Sequence, residues 1–249
     1  MTGRVEKYLL DKIKTDGTIH VALVDPEKVS SKSAARTAEE AKDGGTAAIM
    51  VGGSTALSTT HLDGVVQAIK KAVDVPVILF PSNITGISRH ADAIWFMSLL
   101  NSSDPYFIIG AQVLGAPIIR NFRLEAIPLG YVIVGEGGAA SVIGRACPIP
   151  YDKAELAVAH ALAAEYMGMR FVYLEAGSGA KQTVQREMIG VVKQVLSIPL
   201  IVGGGIKTSK QAKEIADAGA DIVVTGTLTE TEDNLNEKIG DIVSAIKSR

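Results

Sequence analysis

The sequence predicts a (β/α)8 barrel, and three observations carry that expectation. The chain has 249 residues, close to the ~250 typical of one such barrel. Short apolar runs alternate with helix-patterned segments in units of roughly 31 residues. The last two apolar runs both open into small residues, LIVGGG at 200–205 and DIVVTGT at 221–227. Glycine amides at the C-terminal ends of parallel strands can approach an anion closely, because no Cβ stands in the way. An open doubly wound sheet is the rival. It accounts less well for the length and needs no glycine loops on its last two strands.

Composition narrows the class. The chain is 47% hydrophobic and 21% charged, enough to bury a large core in one domain spanning residues 1–249. A net charge of −2 gives no support for a nucleic-acid groove. The single cysteine, Cys147, excludes an internal disulfide and fits a reducing cytoplasm. Residues 1–16 are charged and helical in pattern, unlike a signal peptide. The weakly polar run at 106–119 is too short to span a bilayer.

The elements follow in order. Residues 3–15 read as a leading helix. HVALVD at 20–25 is the first strand, and a helix over 33–43 stops at Gly44 and Gly45. Residues 47–51 form the second strand, followed by a helix over 60–72 and a third strand at 76–80. The next link, 81–92, is too short for a crossover helix with its loops. The third helix is therefore expected to be missing or replaced by a loop, leaving a gap floored by apolar strand. A fourth strand follows at 93–97. Residues 99–121 give a polar loop and a helix broken by glycine and Pro117. The fifth strand covers 126–134. The Gly- and Ala-rich stretch 135–150 is long for a barrel loop and reads as a mobile lid. An amphipathic helix spans 151–167, and the sixth strand spans 171–174. Helices over 183–196, 209–218 and 235–247 frame the last two strands.

Ligands of such a barrel sit at the C-terminal ends of its strands. Gly177, Ser178 and Gly179 after strand six, Gly204 and Gly205 after strand seven, and Gly226 and Thr227 after strand eight suit a phosphate. Taken singly, such glycines only make tight turns. Asp25 could hold Mg²⁺ with Ser54 as a second oxygen ligand, or simply cap a turn. Glu175 shares a strand side with Tyr173 and could take a proton from a hydroxyl, or only bind that hydroxyl. Lys28, Lys181 and Lys207 lie near mouth loops, where surface lysines are common. His20, His61, His90 and His160 show no zinc-ligand spacing, and His20, at a strand start, reads as structural.

The motifs LVDPEK at 23–28, AIMVGGS at 48–54, PVILFPSN at 76–83, MSLLNSSDPYFIIGAQ at 97–112, YLEAGSGA at 173–180, IVGGGIK at 201–207 and VVTGT at 223–227 cover much of the chain. Together they resemble the geranylgeranylglyceryl and heptaprenylglyceryl phosphate synthases, in the second of that family's two sequence groups. The resemblance implies a modified barrel lacking a regular third helix. It implies a sn-glycerol 1-phosphate site on Tyr173, Leu174, Glu175, Ala176, Gly177, Ser178, Gly179, Gly204, Gly205, Gly226 and Thr227, and Mg²⁺ on Asp25 and Ser54. The implied reaction joins geranylgeranyl diphosphate to the 3-hydroxyl of sn-glycerol 1-phosphate in archaeal ether-lipid synthesis, with Glu175 as base and Tyr173 placing the hydroxyl. It also implies a dimer or hexamer, and a lipid product compatible with transient membrane contact. A C35 donor, a phosphosugar isomerase or lyase, and a non-catalytic phosphate binder are the alternatives. Trp95 and Phe96 read as barrel wall or contact surface.

Overall fold

The computed structural model describes residues 2–53, 58–226, 228–231 and 234–247. Eight parallel strands close into a barrel in chain order. They are β1 (Ile19–Val24), β2 (Ala48–Val51), β3 (Val77–Leu79), β4 (Ala93–Leu99), β5 (Glu125–Ile133), β6 (Phe171–Glu175), β7 (Leu200–Gly203) and β8 (Ile222–Thr225). Parallel neighbours need crossovers. Helices α2 (Ser31–Asp43), α3 (Thr59–Ala72), α4 (Ala111–Phe122), α6 (Ala154–Tyr166), α7 (Arg186–Val195), α8 (Ser209–Ala218) and α10 (Leu235–Lys247) pack outside the strands, with α1 (Arg4–Asp16) leading and the short α5 (Gly138–Ile143) and α9 (Leu228–Thr231) inserted.

Strand residues alternate between two apolar layers, as a period of two requires. Leu129, Tyr131, Ile133, Phe171 and Tyr173 face the barrel interior, while Val132, Val172 and Leu174 face the helices. Trp95 lies inside the barrel, 1% exposed, with its ring edge-on to Phe171. It is therefore wall, not contact surface. Helix α1 closes the N-terminal end: Val5 and Leu9 join the interior layer. The Val5 and Glu6 N–H groups each donate to the Glu125 carboxylate at 2.8 Å, so a side chain on β5 caps donors that an isolated helix leaves unmet.

The gap expected after the third strand is present. Between β3 and β4 stands only a 3₁₀ turn, Ile84–Gly86, whose Thr85 N–H is held by the Asn83 carboxamide oxygen at 2.8 Å. Where that helix is missing, Ile94 on the outer side of β4 and Ile87, both buried, line a cleft.

Three expectations are corrected. Strand β6 runs through Glu175, so that carboxylate belongs to the sheet rather than to the loop. The helix placed at 151–167 begins at Ala154 and is not amphipathic: Ala157, Ala161 and Ala164 face inward, while Leu156 and Tyr166 are exposed. Its small inner residues allow close approach to the barrel and leave larger apolar groups outside. The 135–150 stretch is tied down rather than loose. It contains α5, and the Asn101 carboxamide donates to the Ile133 and Cys147 carbonyls at 2.8 and 2.9 Å. Ser102 donates to the Gly144 carbonyl at 2.6 Å. The polar loop after β4 thus fastens the long segment after β5.

Candidate active site

One continuous cleft opens at the C-terminal ends of the strands. Asp25, Tyr173, Glu175, Ser178, Gly204 and Gly226 line its polar end. Phe80, Ile87, Ile94, Phe96, Gly115 and Ile119 line its apolar end, which runs out through the missing-helix gap toward α4. Asp25 and Gly204, from opposite parts of the chain, therefore share one cavity.

Glu175 is buried inside the barrel mouth, 7% exposed. Burial raises its carboxyl above the usual carboxylate value, while hydrogen bonding to Tyr173 and to the Gly177 N–H opposes that rise. The Gly177 N–H donates to the Glu175 Oε1 at 2.7 Å. A buried acid held this way can exchange a proton nearer neutrality than a solvated glutamate. Gly204 backs the carboxylate. It has φ +87, and a Cβ there would collide with Glu175 Oε1 and come within 2.6 Å of the Gly177 nitrogen. At Gly203 a Cβ would collide with the Tyr173 hydroxyl. The glycines at the end of β7 are therefore required by close approach to this acid–phenol pair.

Asp25 is seated in a parallel way on the other side. A Cβ on Gly53 would collide with Asp25 Oδ1. The carboxylate accepts the Glu27 N–H at 3.1 Å, and the Lys28 ammonium stands 3.7 Å away. Glu27 is pushed above the usual carboxylate value by desolvation and then by Asp25. Asp25 thus does cap its own turn, yet it still faces the cleft. Among the described residues no group of three or more His, Cys, Asp or Glu gathers as a metal site. A single hard carboxylate suits Mg²⁺, which takes most of its ligands from phosphate and water.

The structure sorts the expected site residues. Asp25, Tyr173, Glu175, Ser178, Gly204 and Gly226 come together at the cleft. Leu174 and Ala176 turn toward the helix layer, so only their backbones could serve a ligand. Two loop amides are already used inside the protein: Ala176 N–H donates to the Gly203 carbonyl at 3.0 Å, and Gly177 N–H to Glu175. Gly177 and Gly179 have φ +105 and +72 and shape the turn. Gly205, at φ +71, packs against the Ala180 and Gln182 carbonyls. Ser54 and Thr227 lie outside the described residues.

Two residues escaped the sequence reading. Tyr131 pairs with Tyr173 across β5 and β6, and Phe80 touches both rings. Burial, then the Glu175 charge, raises both phenols. The available signal was the inward period of β5, which puts Tyr131 two residues beyond Leu129. His61 also has a role unrelated to zinc: its Nε2 hydrogen-bonds the Pro26 carbonyl at 2.8 Å, holding the turn after Asp25.

Fold and cleft together define a (β/α)8 barrel in which a buried acid borders a hydrocarbon groove. Residues 11–246 match the PcrB family, and the chain belongs to it. It is 55% identical to the geranylgeranylglyceryl phosphate synthase of Thermofilum pendens, covering 99% of this chain and 96% of that protein. It is 51% identical to the enzyme of that name from Methanothermobacter marburgensis, covering 98% and 99%. The crystal structure of (S)-3-O-geranylgeranylglyceryl phosphate synthase from Thermoplasma acidophilum, in complex with its substrate sn-glycerol-1-phosphate, superposes with a TM-score of 0.96 at 43% identity over the full length of both chains.

Proposed function

We propose that this chain joins geranylgeranyl diphosphate to the 3-hydroxyl of sn-glycerol 1-phosphate and releases diphosphate. The observation that carries the reading is a buried acid, Glu175, seated between glycine loops and an apolar groove in one cleft. The close relatives bear the name of that activity. The acceptor phosphate binds at Ser178, Gly179, Gly204, Gly205, Gly226 and Thr227. The Ala176 and Gly177 amides instead hold the loop and the acid in shape. Tyr173 and Glu175 place the hydroxyl, and Glu175 accepts its proton as the ether bond forms. The groove between β4 and α4 takes the prenyl chain and excludes water from the reacting carbon.

Asp25, with Ser54, would hold Mg²⁺, whose charge when bound would offset that of the departing diphosphate. The protein acts in the cytoplasm as a homo-oligomer. Its lipid product leaves by transient contact with a membrane; no helix among the described residues is long and apolar enough to cross one.

Labelled sn-glycerol 1-phosphate, Mg²⁺ and a panel of prenyl diphosphates from C10 to C35 test this. Label should move into a lipid-soluble product most rapidly with the C20 donor. A preference for C35 would make the chain a heptaprenyl transferase. Binding of the acceptor without diphosphate release would make it a non-catalytic binder.

A further inference from the structure

Three aromatic rings stand where the polar and apolar ends of the cleft meet. Phe80 lies 5.2 Å from Tyr131 and 5.7 Å from Tyr173, centroid to centroid, and the two tyrosines are 5.3 Å apart. All three line the cleft. The tyrosines are buried, whereas Phe80 keeps an accessible surface. Phe80 follows the last residue of β3, as Asp25 follows the last residue of β1. It has no donor or acceptor to offer. Its backbone is nonetheless held closely, because a Cβ on Gly52 would collide with the Phe80 carbonyl.

We propose that Phe80, backed by Tyr131 and Tyr173, is a catalytic residue that stabilises positive charge on the allylic carbon of the prenyl donor through its ring. The inference rests on the prenyl-transfer reading above. The charge to be met is explicit in that chemistry. The C1–O bond to diphosphate breaks, and its electron pair leaves on the diphosphate oxygen. C1 is then bonded by the glycerol 3-oxygen, whose proton passes to Glu175. Between those events C1 carries positive character. An aromatic face within about 6 Å attracts such a cation. The surroundings favour the same sign of charge. Among the described residues the cleft lining includes the carboxylates Asp25 and Glu175 and no lysine, arginine or histidine. Tyr131 meets Phe80 at 86°, an edge-to-face contact that matches the positive rim of one ring with the negative face of another. The Glu175 carboxylate lies near Tyr173, and its charge adds to burial in raising that phenol, so a negative charge borders the ring cluster. A purely space-filling Phe80 would need none of this.

The test replaces Phe80 by mono-, di- and trifluorinated phenylalanines, which keep its shape while weakening its quadrupole, and reads single-turnover rates at saturating C20 donor and acceptor. The rate should fall with each fluorine, by about tenfold across the series, with acceptor binding within twofold of the parent. Phe80→Tyr should remain within a few-fold of the parent, and Phe80→Leu should be at least as slow as the trifluoro form. A flat fluorine series, or a Phe80→Leu protein with parental rate, overturns the inference while leaving prenyl transfer intact. A parent protein that consumes no prenyl diphosphate overturns both.

Discussion

The β6–β8 side of the cleft and the β3–β5 side are built by different means. On the first side the lining is a carboxylate, a phenol and glycine-rich backbone, and two close approaches are set by a missing Cβ: Gly203 against Tyr173, Gly204 against Glu175. On the second side the lining is hydrocarbon, Ile87, Ile94 and Ile119, buried side chains that border the cleft where one crossover helix is reduced to a single turn. The glycine side tolerates almost no change of volume, since backbone has nowhere to go. The groove tolerates exchange of one apolar residue for another, and volume there sets which chain fits. The difference predicts that perturbing the two sides separates acceptor chemistry from donor binding.

The largest break should come from Glu175→Gln. Loss of the proton acceptor should lower turnover about 10²–10⁴-fold with acceptor binding retained; a turnover within a few-fold of the parent would remove Glu175 as base. The same change should raise thermal stability at neutral pH. The folded carboxyl is raised above the ordinary 4.5 by burial. Between the unfolded and folded values the native state binds more protons, so stability falls as pH rises through that window and stays lower above it. The Gln variant lacks that loss. Its melting-point advantage should shrink as pH falls through the raised folded value toward about 4.5, and vanish below that. The parent's rate should likewise lose activity on the acid side at a pH above that of an ordinary glutamate.

Gly204→Ala sharpens the comparison. The alanine faces a left-handed φ, a cost of about 1–3 kcal/mol, and a collision with Glu175 and the Gly177 amide besides. Gly168 is the control, with φ +84 and nothing within 4 Å of its Cβ position. Gly168→Ala should lose stability only, whereas Gly204→Ala should also lose acceptor affinity in calorimetry. Equal effects would show that strain alone matters at Gly204. On the opposite side, Gly115→Leu should narrow the groove, since a Cβ there already lies 3.3 Å from Ile87 Cδ1. The KM for a C20 donor should rise about tenfold, that for a C10 donor less, with acceptor affinity unchanged.

What could be read in advance follows the same division. Strand period, glycine punctuation and the short 81–92 link are local signals, so the barrel and its gap were legible. The Tyr173–Glu175 pair was legible because both lie on one strand, two residues apart. The ring cluster was not, because Phe80, Tyr131 and Tyr173 come from three strands and their meeting depends on barrel closure. Nor was the fastening of 135–150: Asn101 reads as a loop residue until β4 and β5 pair and bring the Ile133 and Cys147 carbonyls to it. The 151–167 helix misled because alanines on its inner face carry the packing while its larger apolar groups point out.

The smallest effect on turnover belongs to His20, away from the catalytic side chains. Its ring hydrogen-bonds Thr46 and Thr225, each at 2.9 Å, and burial depresses its pKa from 6.5 to about 3. The native ring therefore stays neutral where the unfolded chain takes up a proton. Stability should fall as pH drops from about 6.5 toward 3, by roughly 2 kcal/mol between pH 7 and pH 5. Glu175 pulls the other way in part of that window, because its protonation is favoured in the folded state. The two contributions separate in the Glu175→Gln background, where denaturant unfolding should show the full acid loss. Adding His20→Gln there should lower stability at pH 7, by losing shaped hydrogen bonds, and flatten the slope between pH 7 and pH 5. A slope that survives His20→Gln would assign the acid sensitivity to another group and leave His20 as packing alone.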